Sequence, residues 1–250
     1  MHWLKLTVVY DGTDFAGWQA QPERRTVQGV LETAWREITG ETVRLTASGR
    51  TDAGVHAEGQ VAGLATESLI PPEKLRAALN AKLPDDVIVR LVEVAPDHFH
   101  ATHDALRKTY RYQIHNSRVP PLFDRRFAWH VPTGELDAPA MGQGGASIVG
   151  RHDFACFEST GSERSSTVRT ILDLNVTRAG ERVDLSVTGD GFLYNMVRAI
   201  AGTLVEVGRG ARQPEWVAEV LASRDRTMAG PTAPACGLVL ASVDYGDSHA

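Results

Sequence analysis

Cysteine is scarce in this chain of 250 residues, which holds only Cys156 and Cys236 and no C-x-x-C pair. A disulfide scaffold and a cysteine-rich zinc site are therefore not expected, and a reducing cytoplasm fits this usage. Long apolar runs are lacking too, since none approaches the roughly 18 residues of a membrane span. The first residues alternate like a strand and do not resemble a signal peptide. We therefore predict a cytoplasmic protein with no membrane anchor.

Lysine is the second scarce residue type, so arginine carries nearly all of the positive charge. The formal net charge is -5, which by itself does not favour a nucleic-acid partner, but the distribution of charge matters more than its sum. Residues 107–126 hold a basic cluster with a single acid, Asp124, and with interleaved aromatic residues. The basic residues are Arg107, Lys108, Arg111, Arg118, Arg125 and Arg126, and the aromatic ones are Tyr110, Tyr112, Phe123 and Phe127. Arginine beside aromatic rings suits phosphate contact and base stacking, although a solvated surface would have the same composition.

Several familiar active-site motifs are also missing. There is no G-x-x-x-x-G-K-[ST] loop and no G-x-S-x-G elbow, which removes most NTPases and α/β-hydrolases. The glycines within 142–145 follow no predicted strand and lack the Rossmann spacing. His98 and His100 would share one face of a strand, with His103 nearby and His152 further on, but no matching carboxylate or cysteine spacing completes a metal site. We predict neither a metal nor a cofactor.

The spacing of apolar residues in the first half of the chain predicts alternating strands and helices. Predicted strands span 3–10, 43–47, 58–66 and 87–94, and predicted helices span 27–38 and the stretch from Pro71-Pro72 to Leu83. The resulting order is β-α-β-β-α-β, which is the split ferredoxin-like arrangement.

The second half predicts the same order of elements. Its strands span 108–115, 168–177, 182–188 and 238–245, its main helices span 137–148 and 192–207, and a short extra helix spans 214–221. We therefore predict an α+β fold of two ferredoxin-like halves, whose antiparallel sheets meet at a central cleft. The predicted domains are 1–103 and 104–250.

Two polar features stand out from this framework. The loop 48–56 places an arginine, a carboxylate and a histidine between two strands, with Gly49 and Gly54 beside its core. Taken alone, this stretch would be a hairpin turn with solvated charges. Arg198 lies two turns into the predicted apolar helix 192–207, where a partly desolvated guanidinium needs a carboxylate partner unless it reaches solvent.

Together with other motifs along the chain, the loop 48–56 resembles part of a known family. Residues 49–56, followed by Gly59-Gln60-Val61, resemble the catalytic-aspartate motif of the TruA family of tRNA pseudouridine synthases. Further blocks in matching order are residues 10–13, Phe15, 17–19, 26–28, 108–112, 152–154, 168–171, 192–198, 232–235 and 237–238. The resemblance covers nearly the whole chain.

This resemblance implies the pseudouridine synthase fold and an isomerase. The substrate would be uridine at positions 38, 39 and 40 in the anticodon stem-loop of tRNA, converted to pseudouridine without a cofactor. The uridine must leave the base stack before it can react. The resemblance also implies a homodimer that binds one tRNA across both subunits.

The resemblance further implies roles for single residues. Asp52 would be the nucleophile, or a carboxylate that stabilises the sugar cation, and Arg198 would pair with it and keep it ionised. Tyr110 would stack on the extruded uracil and help remove the proton at carbon 5, and Leu238 would form the opposite wall. Arg50 would fill the space left by the base or bind the adjacent phosphate. The residues implied to contact RNA are Arg50, Tyr110, Leu238, Arg24 with Arg25, Lys108 and Arg111.

Two alternatives remain open. A non-catalytic RNA-binding protein made of paired ferredoxin-like sheets would need the basic and aromatic residues but not Asp52. A metal-dependent hydrolase using His98, His100 and His152 would lose activity with a chelator. The sequence also leaves open whether attack occurs at the sugar, at the base, or through an elimination intermediate.

Overall fold

The computed structural model describes residues 1–161 and 166–246. They divide into two compact units, the first made of Met1–Leu106 with the chain from Leu240 onward, and the second made of Arg107–Val239. No helix in the described ranges is long and apolar enough to pass through a bilayer. The predicted domain limits of 1–103 and 104–250, and the cleft between the sheets, stay predictions.

The first unit has the predicted order of strands and helices. Its elements are β1 (His2–Tyr10), α1 (Val27–Thr39), β2 (Thr46–Ala47), β3 (His56–Thr66), α2 (Pro72–Lys82) and β4 (Val87–Ala95). Strand β1 lies antiparallel between β4 and β3, and β2 pairs with β3. Leu4 faces Leu64 of β3 and Val94 of β4. Alternate side chains of β1 are buried because one face of this sheet forms a core.

Strand β2 is shorter than the prediction of 43–47, and the structure shows why. The N–H of Leu45 donates to Glu32 Oε1 at 2.9 Å, and the carbonyl of Leu45 accepts a hydrogen bond from Gln28 Nε2 at 3.3 Å. Both backbone groups are therefore bonded to side chains of α1, so they are not available for a strand ladder. Sequence alternation cannot reveal such a substitution of partners.

The second unit is also α+β and has more elements than predicted. They are β5 (Arg107–His115), β6 (Trp129–His130), α3 (Ala138–Ala146), β7 (Gly150–Asp153), β8 (Val168–Ala179), β9 (Arg182–Gly189), α4 (Met196–Gly208), α5 (Trp216–Ser223) and the start of β10 (Leu238–Asp244). The strand order is β5-β9-β8-β7, all antiparallel, with β6 parallel to β5. The predicted α+β class with mostly antiparallel pairing is confirmed.

Helix α4 begins four residues later than predicted. Asn195 has φ 61° and ψ 7°, the left-handed conformation, so the helical hydrogen-bond pattern starts only at Met196. Asparagine tolerates this conformation better than most residues. The prediction that Arg198 lies two turns into the helix was therefore wrong, because Arg198 is in its first turn.

Candidate active site

Asp52 lies in the loop between β2 and β3 of the first unit, and its side chain is partly exposed. The loop backbone is held from outside by the N-terminal segment: the N–H of Trp18 donates to the carbonyl of Thr51 at 3.0 Å. Within the loop, the N–H of Val55 donates to the carbonyl of Asp52 at 3.1 Å. Backbone groups on both sides of the carboxylate therefore have defined partners.

A buried polar network supports the residues that flank Asp52. The hydroxyls of Tyr10 and Thr51 are 2.7 Å apart, and Gln60 Nε2 donates to the carbonyl of Gly49 at 2.9 Å. Gln60 Oε1 accepts hydrogen bonds from Ser48 Oγ at 2.7 Å and from the N–H of Val61 at 3.1 Å. Gln60 is fully buried, and burial raises the pKa of Tyr10 to about 12. Such fully bonded buried networks fix one conformation, because any other would leave polar groups unpaired.

Gly12 is needed for a close approach of two backbone segments. A Cβ atom at this position would stand 1.9 Å from the carbonyl oxygen of Val55, a distance that no side chain can relieve by rotating. The N–H of Gly12 donates to Nδ1 of His56 at 3.0 Å. The sequence resemblance drew attention to residues 10–13, and the structure gives them a physical role: they hold the Asp52 loop.

Arg198 is positioned by neutral acceptors in the second unit. Its Nε donates to the carbonyl of Ala233 at 2.7 Å, and its Nη1 donates to Asn195 Oδ1 at 2.7 Å. The N–H of Ala233 in turn donates to the carbonyl of Arg198 at 3.1 Å. Asn195 Nδ2 donates to Ser159 Oγ at 3.1 Å. Sequence reasoning identified Arg198 but missed Asn195 and Ser159, whose only signal was an asparagine at the start of a helix pattern.

Two weakly acidic side chains, Tyr112 and Cys236, lie near Arg198. Tyr112 is fully buried, and its hydroxyl donates to the carbonyl of Pro234 at 2.7 Å. Burial raises the pKa of Tyr112 far above its usual value, and the Arg198 guanidinium opposes this rise. Burial likewise raises the pKa of Cys236, again opposed by Arg198. Both groups are therefore neutral near pH 7, and neither cancels the charge of Arg198.

Tyr110 lies in β5 and is largely buried, at 8% exposure. Its ring meets Phe192 edge to face, with centroids 5.0 Å apart. Alternation along the strand puts Lys108 on the side of Tyr110 and Arg111 on the opposite side. The two basic residues predicted to contact RNA therefore do not share one surface of β5. Leu238, at the start of β10, is buried.

The predicted site residues thus fall into two groups. Arg24, Arg50 and Asp52 belong to the first unit, where both arginines are exposed. Lys108, Tyr110, Arg111, Arg198 and Leu238 belong to the second. Pairing of Asp52 with Arg198 stays a prediction.

Over residues 1–161 and 166–246, no three His, Cys, Asp or Glu side chains gather in a way that could hold a metal ion. The rings of His100 and His103 are 4.1 Å apart, but His100 Nδ1 accepts from the backbone N–H groups of Thr102 and His103. These bonds explain the position of that histidine without a metal.

The chain is similar to known proteins over nearly its whole length. A family model described as tRNA pseudouridine synthase matches residues 6–104 and 146–246. These segments include Asp52 and Arg198, while Tyr110 lies between them. The chain is 48% identical over 242 residues to tRNA pseudouridine synthase A of Brevibacillus brevis, covering 97% of this chain and 99% of that protein. It is also 48% identical over 245 residues to tRNA pseudouridine synthase A of Moorella thermoacetica, with the same coverage.

A solved structure is more distantly similar. It is titled as an H/ACA RNP bound to a substrate RNA containing 2'-deoxyuridine, with 13% identity and a TM-score of 0.34. The match covers 81% of this chain and about half, 53%, of that one. The two long matched segments and the full-length relatives show that the chain belongs to the tRNA pseudouridine synthase family.

Proposed function

We propose that this isomerase converts uridine to pseudouridine at positions 38, 39 and 40 in the anticodon stem-loop of tRNA, with Asp52 as the nucleophile after base flipping. Family membership makes the chain an isomerase acting on tRNA. The observation that carries the finer proposal is the buried support of the Asp52 loop. Gly49 and Thr51 are bonded to buried side chains, while Asp52, the residue after Thr51, is partly exposed.

The net reaction exchanges one bond to the sugar for another. The N1–C1′ bond breaks, a C5–C1′ bond forms, and one proton moves from C5 to N1, so atoms and electrons balance without a cofactor. A carboxylate such as Asp52 suits this chemistry because it can capture or stabilise an electron-poor centre.

The remaining residues supply binding and orientation. Arg198 keeps Asp52 ionised by its positive charge, and Tyr110 stacks on the extruded uracil and helps remove the C5 proton. Leu238 forms the other wall of the uracil pocket. Arg50 binds the adjacent phosphate or fills the gap in the stack. Arg24, Lys108 and Arg111 bind the RNA backbone.

Tritium release from C5-labelled uracil in unmodified tRNA tests the chemistry. Asp52→Asn keeps the shape of the side chain but removes the carboxylate, so we expect at least about a 1,000-fold slower single turnover with tRNA affinity retained. Asp85→Asn, at an exposed loop carboxylate of the same unit, is the matched control and should release tritium at the normal rate. Normal turnover by folded Asp52→Asn would remove Asp52 from the mechanism and favour a non-catalytic RNA-binding protein.

Substrate position needs a second experiment. Transcripts with a single uridine at position 38, 39 or 40, and one with uridine only elsewhere in the stem, should separate specificity from chemistry. We expect pseudouridine in the first three and none in the last. Modification confined to the last transcript would assign a different target while leaving Asp52 in place.

Assembly and location are further parts of the proposal. We expect a homodimer, which sedimentation analysis at micromolar concentration would detect, and a monomer at all concentrations would contradict it. A cytoplasmic location likewise stays a prediction, and fractionation of cells that produce the protein would check it.

A further inference from the structure

We propose that Asn195 is a positioning residue that fixes the direction of the Arg198 guanidinium. This inference rests on the proposed function, because it assumes that the charge of Arg198 acts on Asp52. It adds a residue to which the sequence resemblance gave no role.

The side chain of Asn195 is used in an unusual way for the start of a helix. A residue at this position commonly accepts a hydrogen bond from a backbone N–H of the first turn. The Asn195 side chain makes no such bond. Its Oδ1 accepts from Arg198 Nη1 at 2.7 Å instead, and its Nδ2 donates to Ser159 Oγ at 3.1 Å. The side-chain amide of Asn195 therefore links Arg198 to Ser159.

Two acceptors together define the guanidinium plane. Nε of Arg198 donates to the Ala233 carbonyl, and Nη1 donates to Asn195. Since these donors lie at different points of one rigid planar group, bonds to both restrict its rotation as well as its position. One of these bonds alone would restrict the rotation of the guanidinium less than the two bonds together.

The second acceptor is itself held in place. Ala233 is almost fully buried, and its N–H donates to the carbonyl of Arg198. The preceding segment lies directly on α4, because a Cβ at Gly202 would stand 1.7 Å from the carbonyl oxygen of Pro231. The Ala233 carbonyl is therefore a fixed acceptor for Arg198 Nε, and Asn195 supplies the acceptor for Nη1.

The charge of the guanidinium survives both bonds. The acceptors on Asn195 and Ala233 are neutral, so they orient the cation without cancelling its charge. Arg198 also lies in the first turn of α4, where the helix dipole is unfavourable for a cation. In the proposed function, the anion on which this charge acts is Asp52.

The other explanation of Asn195 is purely a backbone one, since asparagine tolerates the left-handed conformation observed here. Asn195→Gly separates the two explanations. Glycine adopts the same φ without strain, so the backbone requirement is met while the bond to Arg198 is lost. Asn195→Asp keeps an oxygen acceptor in place and also tolerates this φ.

The test is single-turnover tritium release with enzyme in excess, together with tRNA binding and the melting temperature. We expect Asn195→Gly to slow the chemical step about 10–100-fold, since a misplaced catalytic group costs about that much. Its tRNA affinity and melting temperature should change little. Asn195→Asp should recover only part of the rate, because it restores the oxygen acceptor but its negative charge offsets the charge of Arg198. The acid limb of the pH–rate profile should move to higher pH in Asn195→Gly, because a misdirected cation no longer holds the Asp52 pKa down.

A double-mutant cycle decides whether Asn195 acts through Arg198. In an Arg198→Lys background, Asn195→Gly should cost little more, because the bond in question is already absent. An equal loss in both backgrounds, or a loss confined to tRNA affinity or stability, would overturn the inference. A normal rate in Arg198→Lys alone would instead show that the proposed role of Arg198 is wrong. Ser159→Ala leaves the Asn195–Arg198 bond intact, so it should slow the chemical step less than Asn195→Gly does.

Discussion

The loop of Asp52 and the first turn of α4 fix their functional side chains by opposite means. In the loop, the supporting contacts are made to residues that precede Asp52. Trp18 and Gln60 donate to the backbone carbonyls of Thr51 and Gly49, and the Tyr10 hydroxyl bonds the Thr51 hydroxyl. In α4, the helix already fixes the backbone, and the supporting contacts are made to the side chain of Arg198 itself.

The difference follows from the length of the two side chains. Aspartate has two side-chain torsions, so a fixed backbone nearly fixes the carboxylate. Arginine has several, and ordering such a side chain costs up to about 2 kcal/mol. A helix can hold the Cα of Arg198 but not its guanidinium, so Asn195 and Ala233 are needed at the far end. We expect substitutions that remove support from the loop to lower both stability and activity. Substitutions around Arg198 should lower mainly activity.

The largest effect is expected from Gly12→Ala, which attacks the backbone support of the loop. The added Cβ would lie 1.9 Å from a backbone oxygen, so one of two chain segments must move, at a cost of about 3 kcal/mol or more. The melting temperature and tritium release should both fall. Gly142→Ala is the control, because a Cβ there meets nothing within 4 Å inside α3, and it should stabilise by about 0.5–1 kcal/mol. Equal stability of the two variants would contradict this account of the loop.

A smaller but still large effect is expected from Gln60→Ala. The substitution removes both ends of a fully buried amide and leaves the Ser48 hydroxyl and the Gly49 carbonyl without that partner. Unfolding in urea should show that the free energy of unfolding falls by about 2–4 kcal/mol. Single turnover should also slow, because the Asp52 loop is no longer held in position. Gln113→Ala, at a half-buried position of β5 in the other unit, should cost less, at about 1 kcal/mol or under. Retention of full activity by Gln60→Ala would separate loop position from catalysis.

Tyr10→Phe tests the same hydrogen-bond network through the pH dependence of the protein's stability. Its folded-state pKa is raised to about 12 by burial, against about 10 in the unfolded chain. The stability contributed by neutral Tyr10 is thus complete below about pH 10 and is lost as pH rises towards 12, by about 1.4 kcal/mol per pH unit. The stability difference between the wild-type protein and Tyr10→Phe, about 1 kcal/mol in favour of the wild type at pH 8, should shrink over that interval and then change sign. A difference that is constant from pH 8 to 12 would mean that Tyr10 ionises freely in the folded state.

The smallest effect is expected at Arg24, which is exposed and outside both supports. Arg24→Ala should leave the melting temperature unchanged and weaken tRNA binding, with the salt dependence of log K reduced by about 0.7–0.9. Neighbouring Arg25 forms a two-bond pair with Asp86 at 2.8 Å, so Asp86→Ala should cost under about 1 kcal/mol. An unchanged salt slope in Arg24→Ala would remove this residue from the RNA contacts.

Much of the fold was readable from the sequence because it depends on local periodicity. The helix predicted over 27–38 is α1, and the hairpin predicted over 168–188 is β8 and β9. The weak, glycine-rich helix near 137–148 also exists as α3, capped by Asp137. Errors occurred where a side chain replaced a backbone partner, as at Leu45, or where one residue took the left-handed conformation, as at Asn195.

The site was readable to a lesser degree. The sequence predicted Asp52, Tyr110 and Arg198 as the reacting residues through its resemblance to a known family, and these roles stay predictions. Only the tertiary structure decided what holds them: Gln60 and Tyr10 under the loop, and Asn195 and Ala233 around the guanidinium. These supports join residues up to 41 positions apart, as Tyr10 joins Thr51. Periodicity reports neighbours along the chain, whereas support for a catalytic group comes from neighbours in space.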